Sequence, residues 1–219
     1  MIEKSTLKFL SDLKANNERD WFLAHKSDYE KAKSNFVSFV QNLIDEVAKF
    51  DKGIKGLEAK KCVFRINRDI RFSSDKSPYK SNMGASFSAG GKNSNIPGYY
   101  IHLEGNSGFL AGGKWMPEAN ELAAIRQEID YNSKEFKKIL NAKDFTAFYG
   151  GLSEEDKLKT APKGYPKDHP DLEILKLKSF IAVHNFNVKE ICSDSFLKTC
   201  VTGCKALQPL NNFLAKAIS

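Results

Sequence analysis

The sequence predicts an α+β fold, with a central antiparallel sheet at about residues 60–113 packed by N-terminal and C-terminal helices, in one domain spanning 1–219. Two changes of hydrophobic period carry that prediction. Apolar residues recur at steps of three and four over the first quarter of the chain, switch to steps of two near Cys62, and return to helical spacing after Pro117. No internal repeat, low-complexity tract or Pro/Gly/Ser linker divides the chain.

In chain order, Ser5 is placed to cap a short helix carrying Leu7, Leu10 and Leu13, which Asn16-Asn17 interrupts. A longer helix from near Ser27 carries Tyr29, Ala32, Phe36, Val40, Leu43, Ile44 and Val47 as one apolar stripe, read as core, and stops between Asp51 and Gly56. In Cys62 to Phe72 the pattern alternates, with Phe64, Ile66, Ile70 and Phe72 on one face and Arg65, Asn67, Asp69 and Arg71 on the other. Further strands are expected at Met83–Ala89, Tyr99–Glu104 and Phe109–Gly113, the first two joined by a long hairpin loop from Gly90 to Gly98.

Helices then follow with Pro117 in a first turn ahead of Leu122, Ile125 and Ile129, at Ser133 to Leu140, and at Asp144 to Tyr149, stopped by Gly150-Gly151. Pro162 to Pro170 reads as loop, with Asp168 bonding its own backbone in a turn, and Phe180 to Val183 as a strand or a helix end. A last helix, capped by Ser193 or Asp194, carries Phe196, Cys200, Cys204, Leu207 and Leu210, and Pro209 is expected to kink or split it.

The chain has 219 residues, 41% hydrophobic and 28% charged, which excludes disorder, collagen-like repeats and a disulfide mini-scaffold. No signal-peptide core or membrane-length apolar stretch is present, and four cysteines are too few for a secreted scaffold. The expectation is a cytoplasmic protein with free thiols and no membrane contact. Trp21 and Trp115, beside turn-forming residues, are expected to be buried anchors.

Charge is concentrated. Of a net charge of +7, +5 falls between Lys60 and Lys80, where Lys60, Lys61, Arg65, Arg68, Arg71, Lys76 and Lys80 face only Asp69 and Asp75. Arginines so closely spaced suit bidentate capture of phosphate or carboxylate oxygens, and they suit equally a structural network with the aspartates.

The run Arg65-Ile66-x-Arg68-Asp69-x-Arg71-Phe72-Ser73-x-Asp75-Lys76-x-Pro78-Tyr79-Lys80 resembles the signature of the domain of unknown function 2461 family. So do Asn16-Asn17-x-x-Asp20-Trp21-Phe22-x-x-His25-Lys26, Tyr99-Tyr100-x-His102-Leu103-Glu104, Gly112-Gly113-x-Trp115-x-Pro117, Gly164-Tyr165-x-x-Asp168-His169-Pro170 and Lys176-Leu177-Lys178-Ser179-Phe180. The resemblance spans essentially the whole chain. It implies a single-domain cytoplasmic protein of bacterial type and brings no established activity with it.

On the second hairpin strand Tyr100, His102 and Glu104 alternate to one face. If the arginine face coincides with it, a cleft results in which Arg65, Arg68, Arg71, Lys76, Lys80 and Tyr100 bind a small anion. His102, Glu104 and Asp69 are the candidates there for acid–base work, with a ligand contact or a plain structural hydrogen bond as the other readings of His102. Neither His102 with Glu104 nor Asp168 with His169 has a recognised metal spacing, so no metal or other cofactor is expected. Gly84 to Gly90 lacks the pattern of a serine nucleophile elbow, and no phosphate-cradling loop or dinucleotide fingerprint appears. The favoured reading is binding of, and action on, a small anionic ligand. The alternatives are a nucleic-acid-associated protein using residues 60–80, for which the tyrosines offer stacking surfaces, and a partner-binding module without chemistry. No feature of the sequence indicates an oligomeric state.

Overall fold

The computed structural model describes residues 1–91 and 94–219; Lys92 and Asn93 of the expected hairpin loop lie outside them. Among the described residues are ten α-helices and four strands. In chain order these are α1 (Lys4–Ala15), α2 (Arg19–Ala24), α3 (Lys26–Val47), α4 (Ala59–Cys62), β1 (Asn82–Phe87), β2 (Gly98–Glu104) and β3 (Ser107–Lys114). There follow α5 (Ala119–Tyr131), α6 (Ser133–Leu140), α7 (Lys143–Tyr149), α8 (Leu172–Leu175), β4 (Phe180–Asn187), α9 (Val188–Ile191) and α10 (Phe196–Ala217). The strands form one open antiparallel sheet in the order β1-β2-β3-β4, an α+β architecture.

The sheet is shifted along the chain from where the alternation placed it. Residues 62–72 form no strand. Val63 bridges Ala85 of β1 and Asn67 bridges Tyr79 just ahead of it, both antiparallel, so this segment pairs only through isolated bridges before Arg68 to Pro78 departs as a loop. Arg68, Asp69 and Arg71 are poor strand formers, and they satisfy one another in the loop more readily than they would satisfy a sheet face. Ile66 is buried, whereas Phe64 is 39% and Phe72 97% exposed. The strand that completes the sheet is β4, for which Phe180 to Val183 was the only signal.

Three smaller departures have local causes. Glu3, not Ser5, is the cap residue of α1, and Ser5 lies inside the helix with its hydroxyl donating to Glu3. Pro117 precedes the cap of α5, where Glu118 and Glu121 form a reciprocal capping box. Pro209 does not split α10, which runs unbroken because Cys204, Leu207, Leu210, Phe213 and Leu214 are all buried on either side of it.

Contacts divide the chain into two units. The first comprises Met1–Ser94, Tyr100–Leu110 and Asn185–Thr202. Here α1 packs on α3 through fully buried Leu10, Leu13, Phe36, Val40 and Leu43, the apolar stripe that the sequence period marks. Phe39 stacks on Phe196 at 5.0 Å, and Phe186 meets Phe196 edge-on. Phe22 of α2 stacks on Tyr79 at 4.0 Å. Asn17 holds the same residue from both sides: its amide donates to the Tyr79 carbonyl and its oxygen accepts the Tyr79 N–H.

The second unit comprises Asn95–Tyr99, Ala111–His184 and Gly203–Ser219. Phe136 of α6 packs against Phe213, and Arg126 of α5 donates to the carbonyls of Leu175 and Leu177 at the end of α8. Gly113, at φ 117°, has no room for a side chain, because a Cβ would run into the Phe180 carbonyl of β4. The next residue, Lys114, is buried: its ammonium donates to Glu121 at 2.8 Å and to the Asn95 side chain at 2.6 Å.

Candidate functional site

The face of β2 that alternation assigns to polar residues carries a continuous hydrogen-bonded row. Tyr99, Ile101 and Leu103 are buried on the core side, which puts Tyr100, His102 and Glu104 on the other side, each half-buried. The Tyr100 hydroxyl is 2.9 Å from His102 Nδ1, and His102 Nε2 is 3.2 Å from Glu104 Oε1. A carboxylate only accepts, so Nε2 carries the imidazole proton and Nδ1 receives the tyrosine O–H. The phenol, imidazole and carboxylate form a directional relay, Tyr100 to His102 to Glu104.

Aromatic rings frame the row. Phe109 of β3 stacks on His102 at 4.6 Å and 14°, and Phe64 meets Tyr100 edge-on at 6.2 Å. The Lys80 ammonium lies 5.5 Å from the Phe64 ring centre, and Lys14 is 3.9 Å from Glu104. Burial lowers the His102 pKa below its ordinary 6.5, although Glu104 pulls the other way. Burial also raises the Tyr100 pKa. At neutral pH the relay thus rests as neutral phenol and neutral imidazole, a state from which His102 can accept a proton.

The arginines expected to share this face do not. Because Val63 pairs with Ala85, it is Phe64 that falls beside Gly84 and Tyr100, one residue out of step with the Arg65, Asn67, Asp69 and Arg71 set. Arg68 is committed within its own loop, donating to Asp75, to the Ser77 carbonyl and to the Ser73 hydroxyl. The Ser77 hydroxyl and N–H, with the Arg68 guanidinium, hold the Asp75 pKa down to about 2. Arg71 makes a two-point pair with Asp69 at 2.7 and 2.9 Å, which lowers the Asp69 pKa. Lys76 donates to the Ile70 carbonyl, and Arg65 is exposed. Among the described residues no hydrogen bond or ion pair links Arg65, Arg68, Arg71 or Asp69 to Tyr100, His102 or Glu104. The structural-network reading therefore accounts for Arg68 and Arg71, and Lys80 is the cation of the segment found next to the aromatic frame.

The family described as "Conserved hypothetical protein (DUF2461)" matches residues 5–213. The chain belongs to the DUF2461 family. No curated protein and no solved structure matches it.

Other motif residues of this DUF2461 chain have structural work. His169 donates from Nε2 to Asp130 at 2.9 Å and accepts the Asp171 N–H at Nδ1, so both ring nitrogens are occupied. Buried Asp171 accepts from Ser133 and Lys137. The expected turn bond of Asp168 to its own backbone is replaced by this His169-centred network. Trp21 stacks on His25 at 4.1 Å and is half-buried. Trp115 is not an anchor: β3 alternation gives the inward position to Lys114, leaving the Trp115 ring 70% exposed. The Lys114–Glu121 pair was not foreseen, and its only sequence signal was a lysine ending an apolar strand ahead of a proline. All four cysteines are free thiols, three of them buried. No helix among the described residues is long and apolar enough to cross a membrane.

Proposed function

We propose that this chain binds a small anionic ligand against the Tyr100–His102–Glu104 face and transfers a proton through His102. The observation that carries this reading is the relay itself: two hydrogen bonds fix His102 between Tyr100 and Glu104 under a stacked Phe109, burial favours its neutral form, and Lys80 lies over the Phe64 ring of the same frame. In this reading Lys80, with Arg65 and Lys76 contributing field, attracts the anion. The Tyr100 O–H is committed to His102 Nδ1, so the phenol oxygen accepts from a protonated group of the ligand; as that proton moves to the tyrosine, the tyrosine proton moves to Nδ1, and Glu104 stabilises the imidazolium that forms. Arg68 and Arg71 shape the neighbouring loop and do not bind. The free thiols agree with a reducing, cytoplasmic location.

The test is a heat-stability titration with inorganic phosphate, phosphate monoesters and small carboxylates, on wild type and on Lys80→Ala and His102→Ala. A ligand at a hundredfold its dissociation constant adds about 2.7 kcal/mol of stability, a readily measured shift. The shift is expected in wild type, weakened in Lys80→Ala, and uncoupled from pH in His102→Ala. Absence of a shift with every compound contradicts the reading.

A further inference from the structure

The most exposed large apolar side chain in the described residues is Phe72, at 97%. Its setting is an ordered loop held by many bonds. Arg68 crosses the loop to Asp75, Ser73 and Ser77; Asp75 also accepts the Ser77 N–H at 2.9 Å and hydroxyl at 2.7 Å; Lys76 donates to the Ile70 carbonyl. Arg71, splinted by Asp69, places its guanidinium 5.8 Å from the Phe72 ring centre. So dense a network holding a phenyl ring in water gains nothing for the fold, since the ring buries no surface.

We propose that the Arg68 to Pro78 loop is a contact surface for single-stranded nucleic acid, with Phe72 as the base-stacking residue. An open aromatic face beside cations is the combination that holds unpaired strands: the ring stacks on a base, and the flanking cations meet the phosphates. The segment from Lys60 to Lys80 carries a net +5, with Arg65 exposed and the Asp69 and Asp75 carboxylates already engaged by Arg71 and Arg68. A membrane surface fits less well. Membrane attachment needs more apolar area than one ring, and Ser73, Ser74 and Asp75 adjoin the ring.

The experiment is fluorescence anisotropy of wild-type protein with a labelled single strand about 12 nucleotides long, within the span such surfaces cover. The same strand as a duplex and vesicles of phosphatidylglycerol with phosphatidylcholine run alongside. The expected result is salt-dependent binding that prefers the single strand, falls roughly tenfold or more in Phe72→Ala and recovers in Phe72→Trp, whose fluorescence the strand quenches. Charge reversal at Arg65→Glu is expected to weaken binding and flatten the salt slope. Equal affinity for single strand and duplex, indifference to Phe72→Ala, binding to vesicles in place of the strand, or no binding at low salt each overturn the proposal. Phe72 is exposed, so an unchanged denaturation midpoint in Phe72→Ala confirms that the fold is intact.

Discussion

Gly84 of β1 lies directly beneath the Tyr100 phenol of β2: a Cβ at residue 84 would sit 2.5 Å from the tyrosine oxygen and 3.1 Å from the ring. The missing side chain is what lets the tyrosine lie flat enough to reach His102. Gly84→Ala is expected to push the phenol aside, cost roughly 1–3 kcal/mol and break the Tyr100–His102 bond. Chemical denaturation and the His102 ring resonances read both effects. Tyr100→Phe in the same chain removes the closest clash and should recover part of the stability without restoring the bond. An alanine variant as stable as wild type, with unshifted His102 resonances, would show that the phenol does not depend on that space.

Buried Lys114 and Glu121 make a second prediction. Burial works against the Glu121 charge, but bonds from Lys114 and the Glu118 N–H, with the charge of Lys114, hold its pKa below the ordinary value. Lys114→Met strands the carboxylate in a site that is dry on most sides and is expected to cost roughly 3–5 kcal/mol. Glu121→Gln, which keeps the capping bond to Glu118, should cost less. A denaturation midpoint unaffected by Lys114→Met would contradict the pairing.

Trp115→Ala is expected to move stability by no more than about 0.5 kcal/mol, as for other exposed positions. Trp21→Ala should cost more, because Trp21 is half-buried and stacked on His25. Quenching by iodide should likewise act mainly on Trp115. If Trp115→Ala is the more damaging change, the exposed placement of that ring is wrong.

The helical stripes were legible because burial on one side of a helix writes itself into the sequence at steps of three and four; every apolar position named for α3 except half-buried Tyr29 is in the core. The β2 face was legible for the same reason at steps of two. The alternation from Cys62 to Phe72 is misleading because only its first half pairs, through the Val63–Ala85 and Asn67–Tyr79 bridges that bury Ile66, while Ile70 and Phe72 leave in the loop; the Val63–Ala85 bridge also sets Phe64 at the position assigned to arginine. Strand β4 was nearly invisible: its outer half, His184 to Asn187, reads as polar, and only tertiary pairing makes it a strand. The His169 network is not legible in the sequence because Asp130, Ser133 and Lys137 are distant in sequence from the Asp168-His169-Pro170 motif.

His102 is read as a neutral, proton-accepting link between Tyr100 and Glu104, and nitrogen NMR of its imidazole across pH reports that state. Burial depresses its pKa in the folded state, so its contribution to stability is full above the ordinary 6.5 and is lost as pH falls through the lower folded value. The expected result is the Nε2–H tautomer, a titration midpoint below 6.5, and a still lower midpoint in Glu104→Gln, where the opposing pull of the carboxylate is gone. An Nδ1–H tautomer, or a midpoint at or above 6.5 that Glu104→Gln leaves unchanged, would contradict it.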